Sequence, residues 1–285
     1  MKLNHNHKTG CFHFSKKNNQ YIKNILISLL FHLFSVVSVD IMAQQKVAAN
    51  DVAQANNPLA KFTAFNVHYY YIGELTEVNK NAHQGWMRFA TPFSIGKSKW
   101  LLRASLPISS FPVGPSLEYK TGLGDLLIQP QYLIPLGKPG ISFGFGPQIT
   151  VPSATVKELG TGKWSAGLLN MLFNYRSKKL QWGYLVTWQA SFAGPDDRSN
   201  VNSGGIQPFL FYQLGKGRYL RSSAIATFNF ENNTYSIPIG LGFGQVIPKK
   251  KVIFNLFVEP QYSVADKGAG YPHWEIFFGL NSQFK

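Results

Sequence analysis

The sequence predicts an all-β chain, a single antiparallel up-and-down transmembrane β-barrel of about twelve strands. Three observations carry the prediction. The chain of 285 residues is 45% apolar and 15% aromatic but only 14% charged, whereas soluble domains carry roughly a quarter charged residues. Its apolar residues alternate with small or polar ones instead of forming runs. The connections between alternating segments are of two kinds, short basic ones and mostly longer mixed ones. With 23 Phe, 13 Tyr and 6 Trp the chain has ample apolar area to bury, which excludes disorder. Beyond residue 43 no apolar run approaches the ~18 residues of a transmembrane helix. Mean hydropathy is -0.09, and a near-zero mean with alternation implies a barrel.

Residues 1–43 read as a secretory signal. Lys16, Lys17 and Lys23 precede an apolar core from Ile25 to Val39, and Ile41-Met42-Ala43 gives a cleavage site after Ala43. The core is shorter than the ~20 residues of a membrane anchor. Cys11 precedes the core, so it is no lipid acceptor, and the mature chain has no thiol for a disulfide or a Cys-based metal site. Residues 44–60 are polar and alanine-rich; the reading favoured over a lumen plug is a periplasmic leader.

From residue 61 to 285 the period is two. Strands are expected at about 62–73, 85–94, 100–109, 123–134, 141–151, 164–175, 180–192, 205–214, 218–230, 236–247, 252–262 and 273–284. Most are long for globular strands and suit a tilted membrane crossing. In 141–151, Ile141, Phe143, Phe145, Pro147, Ile149 and Val151 oppose Ser142, Gly144, Gly146, Gln148 and Thr150. In 252–262, Ile253 and Phe257 are exceptions to the alternation.

A soluble barrel would turn a Lys- and Glu-rich face to water. Here the polar face is mostly Gly, Ser, Thr, Gln and Asn, the composition of a lumen, and the apolar face is that of a lipid belt. Trp100, Trp182, Trp188 and Trp274 fall on the apolar parity, and Trp86 and Trp164 on the other. Pro130, Pro147, Pro208 and Pro260 recur in similar short motifs on the lipid-facing parity, each removing one ladder donor.

The short connections carry Lys97, Lys99, Lys138, Arg176, Lys178, Lys179, Lys216 and Lys249 to Lys251, and no acid. Most acids of the mature chain lie in the other connections, 74–84, 110–122, 152–163, 193–204, 231–235 and 264–272. Short turns face the periplasm in outer-membrane barrels, so an even strand number puts both termini there. Without residues 1–43, which hold five Lys and one Asp, 23 basic residues face 12 acidic ones, net +11. The charge thus sits in turns, and nucleic acid is not an expected partner.

Candidate lumen-lining residues are Arg88, Arg103, Gln129, Gln131, Gln148, Gln181, Gln189, Arg221, Asn255, Glu259 and Glu275. Opposed Arg and carboxylate side chains there would set solute preference, or would pair with each other and plug a narrow barrel. No catalytic residue, metal site or cofactor is expected: His68, His83 and His273 are isolated. The glycine-rich stretches lack a following helix, which excludes a phosphate loop.

GLGDLLIQPQYLIP (Gly122 to Pro135), ELGTGKW (Glu158 to Trp164), IPIGLGFGQV (Ile237 to Val246) and the closing strand resemble the outer-membrane β-barrels of the MetA-type phenol-degradation pathway group, some of whose relatives carry the label neuromedin U. The resemblance covers roughly residues 61–285. It implies a bacterial outer-membrane location and passage of small solutes, hydrophobic or aromatic ones among them. In the last strand Trp274, Ile276, Phe278, Leu280 and Phe284 share a face and look like the signal read by the barrel-assembly machinery. Outer-membrane lipid, that machinery and an unidentified small solute are the expected partners. The expected function is a passive channel or uptake pore; the rivals are a non-conducting structural or surface-interaction barrel and, at lower weight, a lipid hydrolase.

Overall fold

The structure, a computed structural model, describes residues 54–284. The signal segment 1–43 and residues 44–53 of the expected leader lie outside the described residues. Twelve antiparallel strands follow one another: β1 (Thr63–Leu75), β2 (Ala82–Ile95), β3 (Ser98–Val113), β4 (Glu118–Leu123 and Leu126–Leu133), β5 (Ile141–Val151), β6 (Trp164–Asn174), β7 (Leu180–Ala193), β8 (Asn202–Gly215), β9 (Arg218–Ser222 and Ala226–Asn229), β10 (Thr234–Gly240 and Gly242–Pro248), β11 (Val252–Lys267) and β12 (Pro272–Phe284). Each pairs with its chain neighbours, and β1 pairs with β12 from Thr63↔Phe284 to Leu75↔Pro272, which closes the barrel. Closure leaves no edge strand and satisfies the backbone without water.

The faces divide as the alternation requires. Along β11, Ile253, Asn255, Phe257, Glu259, Gln261 and Ser263 are buried inside, while Pro260, Tyr262 and Val264 are exposed outside. Ile253 and Phe257 therefore keep the inward register despite being apolar: the lumen contains hydrocarbon as well as polar groups. Trp164 is exposed outside, against the expectation, because Ser165 and not Trp164 begins the inward row of β6. Trp86 does point inward, where it packs with Tyr70, Phe257 and Phe277. On the outer wall Phe93, Trp100 and Tyr132 lie side by side on three strands near the short-turn end. Tyr71 and Trp274 form a similar pair near the other end. Aromatic belts at both interfaces are a membrane-barrel feature.

Several strands run beyond their expected ends, all on the long-connection side: β3 and β4 continue through 110–113 and 118–122, and β11 reaches Lys267. There both faces meet water, so alternation fades while ladder hydrogen bonds continue. The connections at 114–117, 230–233 and 268–271 are accordingly tight, and the difference in length between the two ends is smaller than the sequence implies.

The four prolines fall at three gaps in the ladders. Pro130 and Pro147 face each other where the β4–β5 register lapses between Ile128↔Ile149 and Tyr132↔Phe145. Pro208 lies opposite the break in β9 between Ser222 and Ala226, and Pro260 opposite the break in β10 at Leu241. A proline offers no N–H; at the Pro208 gap Gln207 Nε2 donates to the Ser223 carbonyl at 2.8 Å, and beside the Pro130 and Pro147 gap the side chain of Gln129 donates to that of Gln148 at 3.0 Å.

Three glycines make room around Phe257 and Glu259 inside. A Cβ on Gly279 would sit 2.0 Å from the ring of Phe257. Gly279→Val is therefore expected to destabilise the barrel by about 1–3 kcal/mol through overpacking. The urea midpoint of refolded protein reads this, and Phe257→Ala in the same chain should restore much of the loss. Cβ atoms on Gly240 or Gly242 would meet Glu259 at 2.5 and 2.7 Å.

Candidate functional site: the barrel lumen

The most enclosed group in the lumen is the carboxylate of Glu259, with no exposure. Its Oε2 accepts from Arg221 Nε at 2.7 Å and from the Ser223 hydroxyl at 2.8 Å. Its Oε1 accepts from the Ser223 N–H at 2.7 Å and from Gln261 Nε2 at 3.2 Å. The Ser223 N–H is free to donate because the β9 ladder is interrupted after Ser222, opposite Pro208. Arg221 also donates from Nη2 to the Ser223 hydroxyl at 2.5 Å and lies over the Phe257 ring, 3.4 Å from its centre. A buried ion pair needs every lone pair and proton matched, and here the strand break and the glycines provide the match.

A second cationic group is less complete. Arg88 on β2 contacts His68 Nδ1 at 3.1 Å and stacks over Trp86, 4.9 Å from the ring centre. His68 Nε2 is 2.8 Å from Asn281 Oδ1. Arg103 sits diagonal to Arg88 across the β2–β3 ladder, since Ala90 pairs with Arg103 and Arg88 with Ser105. Among the described residues neither arginine has a carboxylate within ion-pair distance. Glu275 faces the lumen beside Gln261 and Ile72, likewise without an ion pair among the described residues. Glutamines line the remaining wall: Gln148 and Thr150 both reach Gln189 Oε1, at 3.5 and 2.8 Å, and Gln213 donates to Gln181 at 3.3 Å.

Residues 54–60 enter the barrel at the short-turn end, which corrects the leader expectation for this stretch. Ala55, Asn56, Asn57, Leu59 and Ala60 are buried. Asn255 donates to the Ala55 carbonyl at 3.3 Å and to Asn56 Oδ1 at 2.9 Å, Asn57 donates to Ser142 Oγ at 3.1 Å, and Gln283 donates to the Ala55 carbonyl at 3.4 Å. Leu59 packs near Gly144 and into a cluster with Leu101, Met171, Phe173, Tyr219 and Ile253. The physical reason is complementarity: that end of the lumen is lined by apolar side chains and by the amide donors of Asn255 and Gln283, and a short Ala/Asn/Leu segment packs on the first and accepts from the second.

Every sequence-expected lining residue has an inward register, and the set divides in three. Arg221 and Glu259 form one unit; Gln129, Gln148, Gln181 and Gln189 bond along the wall, and Asn255 bonds Tyr219 and the 54–60 segment; Arg88, Arg103, Gln131 and Glu275 stay incompletely partnered. Sequence reasoning missed His68, Tyr219 and Ser223. An isolated histidine and a tyrosine within a strand carried no signal of contact, and Ser223 acts only through a strand break. The five residues of the expected assembly signal all lie on the outer-face parity of β12, with Trp274, Leu280 and Phe284 exposed. His83 bonds Tyr69 Oη at 2.7 Å, and His273 lies 4.0 Å from Asp266.

At the other end the loop 152–163 is folded down on Asp125. Its Oδ2 accepts from the Thr161 N–H at 2.7 Å and the Thr161 hydroxyl at 2.8 Å, and its Oδ1 from the Ala154 N–H at 3.2 Å. Arg198 donates to the Thr161 carbonyl at 2.9 Å and also to that of Gly160. Lys157 donates to Asp197 at 2.8 Å and holds that carboxyl below its ordinary range. Asp125→Ala is expected to free this loop, making it several-fold faster to cleave by added protease while the barrel stays resistant.

No family model matches the chain, and no curated protein does. Solved structures do. The COG4313 outer membrane channel from Pseudomonas putida F1 superposes with a TM-score of 0.61 at 13% identity, over 78% of this chain and 96% of that chain. The NanC porin gives 0.50 at 10% identity, over 78% and 99%. The likeness is one of fold, and it sets the chain among β-barrels of the outer-membrane type.

Proposed function

We propose that this protein is an outer-membrane β-barrel that serves as a passive channel or uptake pore for small solutes. One observation carries the reading: within a closed barrel with an apolar exterior, Arg88, Arg103 and Glu275 face the lumen and their charges are not neutralised by one another. Charge left uncompensated in a protein interior is costly and is retained where something charged or polar passes. The description of the similar structures as a channel and a porin supports it. The aromatic lumen patch of Tyr70, Trp86, Phe257 and Phe277 would favour solutes with hydrophobic or aromatic parts, as the MetA-type resemblance implies. Export through a signal cleaved near Ala43 and assembly through the β12 signal belong to the same proposal.

A second reading, a non-conducting barrel, is favoured by a specific observation: residues 54–60 and the Arg221–Glu259 unit occupy much of the lumen. Planar-bilayer recording of residues 44–285 separates the two. The channel gives discrete conductance steps; stable insertion without current, with residues 44–60 present and removed, would leave only the second reading.

A further inference from the structure

We propose that Arg88 and Arg103 form a binding site for a small carboxylate anion in the lumen, a site that deepens the channel reading by naming its solute class. Unsatisfied polarity is concentrated on one wall. The buried side-chain atoms without a hydrogen-bond partner include Asn66 Oδ1, Arg88 Nε, Arg103 Nη1, both amide atoms of Gln131, Gln283 Oε1 and Asn56 Nδ2. They come from β12, β1, β2, β3 and β4, which are consecutive around the barrel, and from the segment beneath them.

The register explains why a ligand fits there. Gln283 pairs with Ala64, Ala64 with Ala90, Ala90 with Arg103 and Arg103 with Gln129. Two alanines thus lie in the row between Gln283 and Arg103, so no long side chain of the ladder stands between the two guanidinium groups. Elsewhere in the lumen buried polar atoms are mostly paired, as around Glu259, with Ser165 Oγ on β6 an isolated exception, so a cluster of orphaned atoms marks a place that something else completes. Two adjacent cations without a carboxylate require an anion. The planar fork of a guanidinium matches a carboxylate with two parallel hydrogen bonds, which a spherical halide cannot accept. The free amides of Asn66 and Gln131 are placed to meet hydroxyl groups or water on the same ligand.

The test is ligand-observed NMR of detergent-solubilised residues 44–285 with acetate, lactate and benzoate as probes and chloride as competitor. It reads binding whether or not the barrel conducts, so failure of the site and failure of the channel are distinguishable. Carboxylates are expected to bind, with affinity lower by about tenfold or more in Arg88→Gln and in Arg103→Gln and by less in Arg103→Lys. Should an arginine variant fail to refold, Ala90→Leu puts a larger side chain between the two guanidinium groups without removing charge and is expected to abolish binding. Carboxylates that do not bind, binding unchanged by these substitutions, or chloride competing as well as the carboxylates would each overturn the proposal.

Discussion

Replacing Glu259 with alanine is expected to cost more stability than any other single substitution in the lumen. It strands Arg221 in a buried position and leaves the N–H and hydroxyl of Ser223 without their acceptor. Breaking a buried pair from one side costs about 3–5 kcal/mol, read as a lowered urea midpoint of refolded barrel in detergent. The double variant Arg221→Met/Glu259→Leu should be more stable than Glu259→Ala, because the penalty lies in the abandoned charge and not in the missing attraction. A double variant no better than the single one would show that the four-donor geometry itself holds β9, β10 and β11 together.

Removal of residues 44–60 is expected to have the second large effect, on permeability. The stretch 54–60 is held by a few side-chain hydrogen bonds and by Leu59 against an apolar cluster. Liposomes carrying residues 61–285 should swell several-fold faster in small solutes than those carrying 44–285, with a modest loss of stability as Leu101, Met171 and Tyr219 become wetted. Equal swelling rates would mean that the segment leaves a path beside it.

The strand count, the parity of the walls and the inward set of polar residues were legible because lipid imposes a strict period of two on the crossing segments. Legibility declined wherever lipid stops: β3, β4 and β11 continue into water with no alternating signal. It also failed where contacts are long-range in sequence. Nothing in the run around Ser223 indicates that its N–H serves Glu259 or that the β9 ladder breaks there. Residues 54–60 misled for a similar reason, since a short Ala/Asn/Leu segment has no periodicity of its own and its partners Ser142, Asn255 and Gln283 are spread along the chain. Ile253 and Phe257, exceptions to the pattern, were the one visible sign that the lumen is packed with hydrocarbon.

The central claim is that solutes pass through this lumen, and residues 44–285, which contain no cysteine, permit a direct measurement. Ala90 faces inward beside Arg103, and Phe89, its neighbour, is exposed on the outer wall. Current through single barrels of residues 61–285 bearing Ala90→Cys should fall sharply on addition of a charged thiol reagent, and current through Phe89→Cys barrels should not. Current that is absent, or that responds alike at both positions, would contradict the account.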